Sequence, residues 1–424
     1  MSKSQLHKRL TDEQVRNILA EYDSKKIKAK EAIRLLEVSR ARFYQLVNEY
    51  VDNREEFTLT YKRSSANNKL NETIEKNILE ELKTEKEKII DNPNVPTNRY
   101  NYSYIKNHLK EKYDQDVSVM TVINRAKING YWKEKPKKKI HDREVITNYI
   151  GELVQHDSSH HLFAPDGGVK WYLITSLDDH SRKILYADFF LRECAWFHIS
   201  AVESVILKYG IPMKYYADQH SIFRYVKDRD KNSAWMNFTK FTDDASPQWR
   251  KVLLDLKVEP IYALSPQAKG KIERPYGWLQ DHIVRTCVRK GIKDITDGRK
   301  ILQEEVSAYN YCRIHSTTGE IPDIRFNRAI RENKTMLRPF KVEYPFQSAK
   351  DIFCLRAERF VDAYRKVSLR NFQMTVPKAV PRQKVELRMY PDFSTGLVEV
   401  RFWSESKFLG AQNVKISDLP IVQF

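Results

Sequence analysis

The 424-residue chain carries 74 Lys+Arg against 56 Asp+Glu, a net charge of +18, with 41% hydrophobic and 12% aromatic residues. That is apolar material for roughly two to four cored domains, and the charge points to a polyanionic partner, nucleic acid first. No apolar run approaches the roughly 18 residues of a membrane span, the start MSKSQLHKRL has no signal-peptide core, and Cys194, Cys287, Cys312 and Cys354 form no CxxC pair, which argues against a zinc finger or disulfide framework. A cytoplasmic, nucleoid-associated protein with reduced thiols is expected.

Residues 11–50 place apolar residues at helical spacing, namely Val15, Ile18, Leu19 and Tyr22, then Ala32, Ile33, Leu35 and Leu36, then Phe43, Leu46 and Val47. Three short helices follow from that pattern. The stretch LLEVSRARFYQLV reads as helix, tight turn and second helix capped by Ser39. Arg40 and Arg42 near its start suit a DNA-recognition helix. A second helix pair is expected in YSYIKNHLKEKYDQDVSVMTVINRAKINGYW, its later helix starting near Ser118 and presenting Asn124, Arg125 and Lys127. Either unit could be a packing or dimerisation module instead; two in tandem on a basic chain favour DNA binding. The expected domains are a helix-turn-helix unit at 1–60 and a second at 61–134. A basic linker follows at 135–144, where Lys137, Lys138 and Lys139 form a solvated tether able to lie on phosphates.

From 145 to 335 the period changes. ELVQHDSSHH, KWYLITSLDDHSR and KILYADFFL are apolar runs of strand length, and Asp166-Gly167 marks a hairpin link. CAWFHISAVESVILKYG then reads as a helix closed by Gly210, MKYYADQHS as a fourth strand, VEPIYALS as a fifth and KGKIERPYGWLQDHIVRTCVRKG as a long helix. A polar insertion at about 222–250 separates strands four and five. The order is a mixed α/β one, with helices on both faces of the sheet.

Three carboxylates are expected at element ends on this scaffold: Asp157 closing the first strand, Asp218 closing the fourth and Glu273 early in the long helix. If strands one and four are neighbours, the three converge. Hard cations such as Mg²⁺ or Mn²⁺ take carboxylate oxygens and keep sites for water and phosphate. Two such ions serve an in-line phosphoryl displacement, and they explain an acidic pocket on a basic protein. Lys269, Lys271 and Arg274 flank Glu273 where phosphate must pass. Asp178, Asp179 and Asp188 are rivals with turn or edge roles, and His156, His160, His161, His180 and His220 match no closed zinc spacing.

The strings GELVQHDSSHHLF, LDDHSRKIL, YADQHSIFR, SPQAKGKIERPYGWLQDHIV and YNYCRIHSTTGEIP resemble the retroviral-integrase-type catalytic core of bacterial insertion-sequence transposases, in particular the branch often called ISNCY. The resemblance implies an RNase H-like fold, with Asp157, Asp218 and Glu273 as its DDE triad. It also implies terminal inverted repeats and target DNA as partners, and a homodimer or larger assembly on DNA. Activity would be end cleavage followed by joining of the 3′-hydroxyls to target, with two Mg²⁺ or Mn²⁺ ions. The interval between Asp218 and Glu273 is longer than the family's usual one, which fits the polar insertion. Arg313 and His315 lie in the family's Asn-x-x-Arg-x-His segment. The alternating 345–424 segment suggests a small C-terminal β-barrel. The whole chain thus reads as multidomain α+β. Rival functions are a helix-turn-helix regulator with a dead core, against which the intact carboxylates argue, and a nuclease on the same fold, against which the tandem helical units argue.

Overall fold

The computed structural model describes residue 6 and residues 9–59, 70–133, 147–217, 247–262, 270–369 and 372–419, with backbone alone for 270–275. The chain divides into two units, Met1–Glu75 and Lys76–Phe424. The first holds three helices, α1 (Asp12–Asp23), α2 (Ala29–Leu36) and α3 (Arg40–Asp52). Thr11 starts α1 in a reciprocal capping box with Gln14, and the Ser39 hydroxyl accepts the Arg42 N–H at the start of α3. Between α2 and α3 the chain turns through Glu37 at φ 50°. Val15, Leu19, Ala32, Leu36, Phe43 and Leu46 fill the core. Leu35, expected on that stripe, is 52% exposed, because neighbouring helix positions point about 100° apart and Leu36 takes the inward place.

The second unit begins with α4 (Glu72–Glu85, which straddles the boundary), a π-helical turn at Lys86–Ile90, α5 (Tyr102–Tyr113) and α6 (Val119–Ile128). Ser118 caps α6 through the Thr121 N–H. Next come β1 (Leu153–His161), β2 (Trp171–Asp178), β3 (Ile184–Phe190), α7 (Ala195–Tyr209), β4 (Lys214–Ala217), α8 (Gln248–Asp255), β5 (Glu259–Tyr262), α9 (Gly270–Lys290), α10 (Ile295–Tyr311) and α11 (Pro322–Arg331). The strands form one mixed sheet in the order β3-β2-β1-β4-β5, antiparallel between β1, β2 and β3 and parallel from β1 through β4 to β5. Strands one and four are neighbours, and a short turn at Pro165–Gly167 lies in the link between β1 and β2.

Side-chain alternation assigns the two faces. Val154 packs with α7 and α8 through Ile199, Val202, Trp249 and Val252. Trp171, Leu173 and Leu177 pack with α9 and α10 through Tyr276, Leu279, Ile283 and Leu302. Gly298 is required on α10, since a Cβ there would run into the Trp171 ring. The sequence places Asp157 at the end of its strand, whereas it stands in the middle of β1; the polar run HDSSHH stays extended because every residue from Val154 to His161 pairs with β2.

The C-terminal segment adds β6 (Leu355–Phe360), β7 (Lys366–Leu369), β8 (Phe372–Thr375), β9 (Lys384–Asp392), β10 (Leu397–Ser404) and β11 (Lys407–Lys415). The expected β-barrel is replaced by an open antiparallel sheet, β11-β10-β9-β6, and a separate β7-β8 hairpin. Alternation predicts strands and their inward faces, but closure needs the edge strands to pair, and among the described residues β7 and β8 pair only with each other. Fully buried Asp351 binds the sheet to its preceding segment by accepting from Arg401, Trp403 Nε1 (2.8 Å) and the Gln347 and Ser348 amides. The side-chain amide of Gln248 on α8 donates to the Arg356 carbonyl and accepts from the Arg356 N–H on β6, and the Arg356 guanidinium pairs with Asp255 at 2.5 Å, so this sheet is fastened to the helix that packs on the mixed sheet.

Candidate active site

Asp157 lies half-buried on the face of β1 that α9 covers. Its cross-strand neighbour is Thr175, whose hydroxyl donates to Tyr276 Oη at 2.7 Å. Two residues along the same face, Ser159 Oγ accepts from Gln280 Nε2 at 2.6 Å. Tyr276 and Gln280 are one helical turn apart, so α9 is stitched to the sheet on either side of Asp157. Position 273 precedes Tyr276 by three residues and shares its helical stripe; the Glu273 side chain lies outside the described residues. Asp218 also lies outside them, immediately after β4. The parallel pair sets Leu153 opposite Lys214 and Gln155 opposite Tyr216.

The rival carboxylates are consumed by structure. Asp178 is fully buried and accepts from the amides of Gly151 and Ser181 and from the Ser181 hydroxyl; burial raises its pKa even so. Asp179 binds Arg182 at 2.9 Å and Thr147 at 2.8 Å, and Asp188 pairs with Arg299. The opposite face of β1 holds a hydrogen-bonded chain that the sequence did not announce. His156 Nδ1 meets Ser176 Oγ at 2.9 Å, His156 Nε2 meets His198 Nδ1 at 2.8 Å, and His198 Nε2 meets Glu193 Oε1 at 3.0 Å. Both imidazoles are fully buried, with His156 stacked on Trp249. Its one sequence signal is the Glu-Cys-Ala-Trp-Phe-His spacing at the start of α7. His160 stacks on Tyr172, and His180 meets the Thr147 carbonyl; His220 lies outside the described residues. Among the described residues no group of three His, Cys, Asp or Glu is placed to hold a metal.

No family model matches the chain. It is 27% identical over 283 residues to a protein of Sinorhizobium fredii (strain NBRC 101917 / NGR234) named as a transposase, covering 65% of this chain and 56% of that one. It is also 27% identical over 238 residues to the transposase for insertion sequence IS1202 of Streptococcus pneumoniae, covering 55% and 44%. The chain is a relative of insertion-sequence transposases. It spans about half the length of the curated relatives it matches. Among solved structures, a chain of the simian T-cell lymphotropic virus intasome complex with PP2A regulatory subunit B56 gamma aligns at TM-score 0.35 and 13% identity over 74% of this chain and 92% of that one. The HTLV-2 integrase catalytic core, solved with magnesium, aligns at TM-score 0.31 and 14% identity over 43% and 99%.

Four of the cationic residues expected to meet DNA are described with their side chains in this transposase relative. Arg40 is exposed at the start of α3, its guanidinium over the Tyr44 ring. Arg42 is exposed but engaged by Gln45 and by Glu49 at 3.2 Å. Arg125 is half-buried on α6, and the Lys127 ammonium sits 4.6 Å from the Trp132 ring. Lys137, Lys138, Lys139 and Lys269 lie outside the described residues, as do the side chains of Lys271 and Arg274. Arg313 stacks on Trp278 of α9 at 4.7 Å, and burial lowers its pKa. Sequence reasoning missed the charged seam on the far half of α9. There Arg289 pairs with Glu81 at 2.6 Å and Glu85 at 2.9 Å, and Arg285 pairs with Glu85 and with Asp281 at 2.8 Å.

Proposed function

We propose that this chain is a DNA transposase whose core is RNase H-like and whose Asp157, Asp218 and Glu273 form a DDE triad. One observation carries the reading: Asp157 and Asp218 are separated along the chain by the same interval as the paired residues Leu153 and Lys214 of the parallel β1–β4 ladder. The stripe of α9 that holds Tyr276 and Gln280 against Asp157's face begins with position 273. Three carboxylates with room for water and phosphate suit Mg²⁺ or Mn²⁺, and Asp157, Asp218 and Glu273 would hold two such ions. When bound, they supply activation of the attacking oxygen and charge stabilisation at the leaving oxygen.

The chain's own residues orient that site. The Thr175–Tyr276 and Ser159–Gln280 hydrogen bonds fix α9 over β1, while the buried His156–His198–Glu193 chain holds the opposite face. Lys269, Lys271 and Arg274 position DNA phosphates beside Glu273. No covalent protein intermediate is needed: water opens the element's ends, and each freed 3′-hydroxyl attacks target DNA. The α2–α3 and α5–α6 pairs are the helix-turn-helix readers of the terminal inverted repeats. Two ends joined in concert call for a dimer or larger assembly on DNA, in the cytoplasm.

Asp157→Asn, Asp218→Asn and Glu273→Gln should each abolish cleavage and strand joining of end DNA with Mg²⁺ or Mn²⁺, while folding and end binding persist. Near-normal joining by any one of them would remove that residue from the triad.

A further inference from the structure

We infer that the ladder formed by Glu81 and Glu85 with Arg285 and Arg289 fixes the register of the α4–α6 segment on α9. It thereby sets the distance between the DNA sequence which that segment reads and the phosphodiester that is cut. The inference rests on the proposed transposase function and adds to it a pair of positioning helices.

The pattern is two carboxylates at i and i+4 on α4 facing two guanidinium groups at i and i+4 on α9. All four residues are buried or nearly so: Glu81 1%, Glu85 0% and Arg285 0% exposed, with the Arg289 side chain at 7%. Arg289 bridges both glutamates. Arg285 binds Glu85, Asp281 and the Arg99 carbonyl. Glu81 also accepts from Lys112 of α5 at 3.0 Å and lies 3.1 Å from His108 Nδ1. Two rungs tie α5 to the same helix, Tyr104 Oη with Thr286 Oγ1 at 2.9 Å and Asn101 Nδ2 with Asp281.

An apolar seam tolerates sliding, because burial has no direction. The apolar part of this one is small: Ile89, Val95, Val284 and Val288. The charged ladder does not tolerate it. A slip by one helical turn, about 5.4 Å, would leave a buried carboxylate on one helix and a buried guanidinium on the other without partners. Each such group is far costlier than an unmade surface pair. Glu273 stands twelve residues before Arg285 on the same helix, about 18 Å away at about 1.5 Å per residue. The helix that carries the catalytic carboxylate is therefore the helix to which α4–α6 is keyed. A displacement of one turn corresponds to between one and two base pairs of duplex at about 3.4 Å each, so the ladder's fidelity should appear as precision of cutting.

The test maps nicks at nucleotide resolution on an end-labelled duplex carrying the element's terminal repeat, using the full chain with Mg²⁺ or Mn²⁺. Wild type should cut at one dominant phosphodiester, and that cut should move with the recognised sequence when base pairs are inserted between the two. Paired replacement Glu85→Met with Arg285→Met removes both charges together and leaves Arg289 paired with Glu81; Arg289→Lys keeps the charge and loses the fork that bridges the two glutamates. Both variants should still bind end DNA, and the share of cuts one or two positions off the main site should rise about tenfold. Either variant cutting at the wild-type position with wild-type precision would overturn the inference. A wild-type chain that cuts no end DNA would instead overturn the transposase reading on which it rests.

Discussion

Helices α1–α3 and α4–α6 read alike in sequence, each a short helical set ending in a Ser-capped helix with basic residues, yet their buried positions differ in one respect. The first closes its own apolar core around Phe43, and its ion pairs are superficial, such as Arg54 with Asp23. The second also buries apolar residues, among them Ile78, Leu82, Ile105, Leu109 and Val122, but it adds two buried carboxylates, Glu81 and Glu85, that are answered by Arg285 and Arg289 of α9 together with Lys112 of α5. A helical unit with its own core can act as a separate reader; one whose buried carboxylates need another element's guanidinium groups is part of that element's machinery.

The largest effect that would break this contrast concerns isolated segments. Residues 1–75 alone should show a cooperative thermal transition by circular dichroism, whereas residues 70–133 alone should show none, since Glu81, Glu85, Ile89 and Tyr104 meet α9, which that fragment lacks, and short helices are marginal in water when tertiary packing is lost. A cooperative melt of the second fragment would make the two segments equivalent. Next in size, Arg289→Met in the whole chain leaves Glu81 and Glu85 short of a buried partner and should cost about 3–5 kcal/mol in denaturant unfolding.

A half-buried carboxylate with no close cation among the described residues sharpens the point. Burial dominates at Glu203, which accepts from the Tyr390 hydroxyl and feels the more distant Lys350, and its pKa is pushed up to about 7. At Glu81 burial also raises the pKa, but hydrogen bonds from His108 and Arg289 outweigh it and hold the carboxyl well below the usual range. Between its ordinary value of 4.5 and about 7, folded Glu203 keeps a proton that the unfolded chain has lost. Its contribution is therefore full below the lower value and disappears as pH rises through the upper one. Glu203→Gln should gain at most about 3 kcal/mol over wild type at pH 8 and nothing at pH 4, read from urea midpoints across pH. The smallest effect belongs to the first unit's surface: Arg54→Ala should cost under about 1 kcal/mol and vanish at high salt.

The sequence by itself determined what depends on local patterning. Helical spacing marked the residues that fill the first unit's core, Ser39 and Ser118 marked helix starts, and alternation with turn residues marked β1, β2 and β3 in antiparallel order. It also made Asp157, Asp218 and Glu273 the candidate carboxylates, because the strings around them resemble a known catalytic core. Tertiary structure alone decided the rest, since it depends on which elements meet across long stretches of chain. Nothing local to Glu81 says that Arg289, on another helix some two hundred residues away, will neutralise it. Nothing local to His156 says that His198 will complete its hydrogen bonds. Asp178 and Asp157 look equally available as residue types; one is taken up by the turn at Ser181 and the other faces α9 from mid-strand. The C-terminal strands were legible as strands, but closure depends on edge pairing. A two-residue side-chain period carries no record of which edges meet, and here the sheet stays open.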